Sequence, residues 1–206
     1  MFGRLSPKPS SESEPSLAGK PSSDGKPSDL SEVVTITLPI NSHVSPTNIK
    51  ENLDMKLRRG KVYVAMFALA SPGHYHWALV MATNERSGML YHNTNHGGPY
   101  AFRANYHNHL LNSSSLVAMV EISSITPLDR AIHQRLAERL KSVPIGNLTC
   151  QPWLWNAIRL AAEEGFLGID ADNDDIICYL EEECITVASN GKPGHAVYAI
   201  SRMYKD

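Results

Sequence analysis

The chain has 206 residues, 42% of them hydrophobic, with 19 Lys and Arg against 21 Asp and Glu and a net charge of −2 at pH 7. That suffices for one domain with a core of its own, and the near-neutral balance excludes a general electrostatic grip on nucleic acid or an anionic membrane. The three cysteines, Cys150, Cys178 and Cys184, lack C-x-x-C spacing. The chain starts without an apolar signal-peptide core and holds no apolar run of the roughly 18 residues a bilayer demands, so a cytoplasmic, reduced protein without signal peptide or transmembrane segment is expected.

Residues 1–31 are dominated by Ser, Pro, Lys, Glu, Gly and Asp, with almost nothing to bury, which predicts a disordered tail ahead of a single domain over 32–206. Val33 to Leu38 reads as an edge strand that stops at Pro39, and the stretch to Arg59 is polar and weakly helical. Val62 to Leu69 is a continuous apolar run, as a strand covered on both faces requires. Ser71-Pro72-Gly73 turns the chain into a second strand, His76 to Met81, and Met89 to His92 returns as a third. A short strand is expected around Tyr100 to Arg103 and a strong one over Leu116 to Ile122.

Helical spacing then takes over. Leu128, Ile132, Leu136 and Leu140 predict an amphipathic helix behind Thr126 and Pro127. Trp153, Leu154, Ala157, Ile158 and Ala161 predict a second, capped by Thr149 and closing near Gly165. A third runs from Asp174 to Ala188, with Ile176, Ile177, Leu180, Cys184, Ile185 and Ala188 as its apolar face, which places Cys178 and Cys184 among buried thiols. Ala196 to Ile200 makes a last strand. Strands followed by helices indicate an α+β domain, an antiparallel sheet packed against helices.

Cys150 falls at the start of the second helix, where unpaired backbone N–H groups and the macrodipole favour thiolate, so it is a candidate nucleophile. The competing reading is an inert cysteine buried under a core helix. A thiolate needs a base, and the base needs a third group to fix its tautomer. His76 opens one strand and His92 closes the next, so the hairpin can return one beside the other. His195, after Gly194 and before an apolar strand, is an alternative base. Backbone N–H groups at the helix start, with Gln151 adjacent, are candidates to hold an oxyanion. His74, His76, His92 and His96 offer imidazoles to zinc, but no Asp or Glu lies within the cluster as ligand or support, so no metal is expected. The chemistry requires no cofactor.

The His76-Trp77-Ala78-Leu79-Val80 run, the second histidine in Tyr91-His92 and the later Thr149-Cys150 opening a helix resemble the circularly permuted NlpC-type papain-like proteins. These include the lecithin:retinol acyltransferase group and, more distantly, the PPPDE thiol peptidases. The likeness covers roughly residues 62 to 164; the chain also resembles fungal proteins that share the His76 to Val80 run and the Cys150-x-x-Trp153 feature. It implies a papain-like fold and a Cys-His-His triad of Cys150, His76 as base and His92 as orienter, and so a thiol hydrolase, peptidase-like, or an acyltransferase. Thr149-Cys150-Gln151-Pro152-Trp153 departs from the acyltransferases' Asn-Cys-Glu-His-Phe, which moves the expected substrate from lipids toward a peptide, isopeptide or small-molecule amide or ester. The alternative is a catalytically inactive interaction module on the same fold, presenting Trp153, Trp155 or Tyr100.

Overall fold

The computed structural model describes residues 50–51, 55–127, 129–170 and 172–204. The expected tail over 1–31 and the expected strand Val33 to Leu38 lie outside them. The described residues form an α+β unit with the element order β1 (Lys50–Glu51), β2 (Lys61–Ala68), β3 (Tyr75–Ala82), β4 (Gly88–Thr94), β5 (Ala101–His107), β6 (Leu116–Ser124), α1 (Arg130–Lys141), α2 (Cys150–Glu163), α3 (Asp174–Asn190) and β7 (Val197–Ile200). Six strands of four residues or more make one sheet, to which the two-residue β1 adds an edge, in the order β1-β7-β6-β2-β3-β4-β5.

The sheet is mixed, which corrects the all-antiparallel expectation. β2 through β5 form an antiparallel meander and β2 also pairs antiparallel with β6, but β7 runs parallel to β6. A parallel neighbour needs a long crossover, and α1, α2 and α3 lie between those two strands. At the end of that crossover α3 comes hard against β6 at Gly191, where a Cβ would stand 1.9 Å from the Val117 carbonyl oxygen. Only glycine allows that approach.

Side-chain alternation divides the sheet into two buried layers. Val62, Val64, Met66, Trp77, Leu79, Met81 and Tyr91 pack with Val120 and Ile122 under the three helices, against Trp153, Leu154, Ile158, Leu180 and Leu140 among others. Tyr63, Ala65, Ala78, Val80, Leu90 and Met119 face the other way, onto a smaller cluster closed by Leu57 and Leu110. Every burial expected along α2 is met, since Trp153, Leu154, Ala157, Ile158 and Ala161 are all buried.

Three local expectations are corrected. α1 is capped by Asp129, whose carboxylate accepts the Ile132 N–H at 2.8 Å, rather than by Thr126. On α3, Ile185 is exposed while Glu183 and Val187 are buried, and Cys178 is exposed although Cys184 is buried. β5 continues to His107, well beyond the short strand expected near Tyr100. No helix among the described residues is long and apolar enough to cross a membrane.

Candidate functional site

The two histidines of the hairpin meet. His76 enters β3 immediately after the turn built on Gly73, and His92 stands near the far end of β4, so the antiparallel pairing brings them to one end of the meander. His76 Nε2 lies 2.6 Å from His92 Nδ1, a hydrogen bond whose donor depends on the tautomers. The rings are edge-on at 4.9 Å, and Phe67, opposite His76 on β2, packs on the His76 ring at 6.2 Å.

Burial disfavours the charged form of both rings. It pulls His76 below its usual value, and pushes His92 down to about 4 with further help from the positive charges of His76, His107 and Arg103. The pair is therefore neutral near pH 7. His92 Nε2 is buried without a hydrogen-bond partner among the described residues, and the His76 ring makes no hydrogen bond there besides the one to His92.

Cys150 is the first residue of α2, buried, and held at the same end of β3. Thr149 has the extended backbone of an N-cap but no side-chain cap bond. The Cys150 thiol donates to the Tyr75 carbonyl at 3.8 Å and to neither imidazole. Alternation explains the difference. Tyr75 and Trp77 point into the helical layer, where Trp77 meets Trp155 of α2 at 5.8 Å, whereas His76 and His92 point to the opposite side with Phe67. The thiol and the imidazoles thus flank one peptide unit, Tyr75–His76, from its two sides.

Other expected residues fall elsewhere. Gln151 is not free to hold an oxyanion, because its amide donates to Glu181 of α3 at 2.5 Å. The backbone N–H groups of the first turn of α2 remain for that role. His195 is exposed in a turn closed by Lys192, at the entry to β7. β6 and β2 separate β7 from β3, three inter-strand spacings or about 14 Å. That puts His195 out of reach of Cys150. Among the described residues the His74 ring bonds only the Pro72 carbonyl, His96 is exposed, and no group of three or more His, Cys, Asp or Glu is placed to hold a metal ion. Trp153 and Trp155 are buried, so neither offers a contact surface, and Tyr100 is half-buried.

One residue that sequence reasoning missed stands at the site. Asn93, fully buried on β4, donates from Nδ2 to the Leu148 carbonyl at 3.2 Å and so ties the turn entering α2 to the sheet. The signal was present: an Asn in the middle of a strand, one residue from a candidate histidine, is costly unless its amide is used.

A family model described as a family of unknown function (DUF6540) matches residues 62–168, a span that includes β2 but for its first residue, β3 to β6, α1, α2 and the residues Cys150, His76 and His92. No curated protein and no solved structure matches the chain.

Proposed function

The chain belongs to this family of unknown function, and we propose that it is a thiol-dependent hydrolase or acyltransferase of the permuted NlpC-type papain-like kind, with Cys150 as nucleophile, His76 as base and His92 as the group that orients it. One observation carries the reading. The His76 and His92 rings are hydrogen-bonded to each other through Nε2 and Nδ1, a base with an orienting group, at the end of β3 where the Cys150 thiol meets the adjoining Tyr75 carbonyl. A nucleophile, a base and an orienting group in that order is the arrangement acyl transfer through a thiol requires.

In this reading the Cys150 side chain turns past the Tyr75–His76 peptide unit toward the imidazole, and a proton passes from Sγ to His76 as sulfur attacks the acyl carbon. First-turn N–H groups of α2 take the developing oxyanion charge. The imidazolium then returns its proton to the leaving nitrogen or oxygen as the C–N or C–O bond breaks. Water, activated by the same imidazole, or another acceptor takes the acyl group from sulfur. Burial that holds His76 neutral keeps it able to accept the first proton.

A second reading, an inactive interaction module, draws on the thiol's bond to a carbonyl in place of an imidazole. Incubation with p-nitrophenyl acetate followed by peptide mass mapping separates the two. The enzyme reading predicts release of nitrophenol with acetyl trapped on Cys150, lost in His76→Ala and kept in His195→Ala. An unmodified Cys150, or acetylation unaffected by His76→Ala, contradicts it.

A further inference from the structure

α1 lies over the β4–β5 hairpin on the helical side of the sheet, and the two do not close on each other. Arg130, His133 and Ala137 recur three and four residues apart and so share one face of α1. Opposite that face stand Met89 of β4 and Ala104 of β5, and the register sets Tyr106 beside Met89. These side chains line a cavity of about 560 Å³. Ala104 and Ala137 leave the space open, since each ends at Cβ where a longer side chain would fill it. The volume falls among the roughly 300 to 1,000 Å³ of small-molecule sites. The cavity is separate from the thiol: Met89 pairs with Met81, at the other end of β3 from the Tyr75 carbonyl that Cys150 touches, about 20 Å along the strand.

One polar group in the lining has a fixed direction. Tyr91 of β4 is fully buried, and burial pushes its hydroxyl far up, so it keeps its proton. That proton needs an acceptor, and the hydroxyl's one hydrogen bond among the described residues is to His133 Nδ1 at 2.7 Å, with the two rings stacked. Burial lowers His133, against the pull of Asp129, which keeps the imidazole neutral near pH 7. With Nδ1 accepting, the ring hydrogen sits on Nε2, which has no partner among the described residues. The cavity thus joins apolar Met89, Ala104 and Ala137 to one oriented donor, the pattern of a specific small-molecule pocket. The Met89 thioether and the half-exposed Tyr106 ring favour an aromatic body. No carboxylate lines the cavity to hold a cation, and the exposed Arg130 adds little for an anion. We propose that this cavity binds a small, uncharged aromatic molecule through a carbonyl oxygen that accepts from His133 Nε2. The inference is independent of the reading of Cys150 as a nucleophile.

The test is a fluorescence titration of the full chain with a propionyl dimethylaminonaphthalene, whose emission moves to the blue in an apolar pocket, and with its propyl analogue, which lacks the carbonyl. The ketone should bind saturably, one per chain, and about tenfold more tightly than the propyl compound. Ala104→Leu from the sheet side and Ala137→Leu from the helix side should each abolish binding, and either variant with a native circular dichroism spectrum suffices. His133→Leu should bring the ketone to the affinity of the propyl compound. Tyr91→Phe, which frees Nδ1 to carry the ring hydrogen, should weaken the ketone by a smaller factor. Absence of saturable binding overturns the site, as does binding that survives in a folded leucine variant at either alanine. A ketone held no better than the propyl compound, or held as tightly in His133→Leu as in the native chain, overturns the ligand class.

Discussion

Glu121 and His92 both lie on the face of the sheet that the helices leave uncovered, and the two are finished differently. Around Glu121 every valence is filled. Arg58 Nη2 donates to both carboxylate oxygens at 2.6 and 2.8 Å, the Tyr198 hydroxyl donates at 2.6 Å, and Lys61, itself bound to Tyr204, stands 3.5 Å away. Burial with these partners pushes Tyr63 up to about 12 and Tyr198 higher still. Around His92 less is filled: one bond to His76 and one buried nitrogen that has no partner among the described residues, while Arg103 opposite has no acidic partner among them. A saturated buried network fixes structure, whereas unfilled hydrogen-bonding capacity one peptide unit from a thiol marks a candidate functional site.

The largest effect should come from breaking the filled cluster. Glu121→Leu leaves Arg58, Lys61 and Tyr198 facing an apolar side chain, and should cost about 3 kcal/mol, the lower part of the range for a broken buried pair because the Arg58 side chain is 54% exposed. Denaturant unfolding measures the loss, and Cys150 labelling in the folded variant should match the native protein. A loss below about 1 kcal/mol would mean that the network is ornamental.

Acid should next separate the two clusters. The unfolded chain binds a proton on His92 at its ordinary value of 6.5, but the folded chain only near 4. The unfolded state therefore gains protons first, and the stability held above pH 6.5 is lost as the pH falls toward 4, about 3 kcal/mol in all. His92→Leu should flatten that slope and, by removing a polar ring with an unfilled nitrogen, raise stability at pH 7 by about 1 kcal/mol while slowing acylation of Cys150. Equal slopes in the two proteins would show that His92 titrates normally.

How far the sequence foretold this depends on whether the deciding partner is local. β2, β3 and β6 were legible because strands covered on both faces must be apolar throughout, and α2 because its buried positions recur at helical spacing. β5, at the sheet edge with Arg103, Asn105 and His107 exposed, reads in the sequence as no more than a short strand around Tyr100 to Arg103, because polar residues fill its second half. The parallel course of β7 leaves no trace in its own residues. Glu183 reads as a solvent position, yet it is buried because Ser201, from beyond β7, donates to it at 2.6 Å. In the same way Glu181 takes the Gln151 amide from 30 residues away. The meeting of His76 and His92 was visible because one short hairpin decides it. The face on which Cys150 arrives depends on the packing of α2, which no local pattern states.

The smallest effect concerns the two other cysteines. Cys178 is exposed on α3, so Cys178→Ser should change stability by less than about 0.5 kcal/mol. In the native protein Cys178 should alkylate as an ordinary surface thiol. Cys184, whose burial raises its pKa, should stay unreactive until the chain unfolds. Rapid alkylation of Cys184 under native conditions would show that α3 opens readily.

The central claim is that the open cluster serves Cys150. It is tested most directly by the rate of Cys150 alkylation by iodoacetamide at pH 6, with Cys178 in the same molecule as the internal standard, in the native protein and in His76→Ala. The account predicts that Cys150 reacts at least tenfold faster than Cys178 in the native protein, and that His76→Ala brings it to the rate of Cys178 or below. A Cys150 no faster than Cys178, or one equally fast without His76, would contradict it.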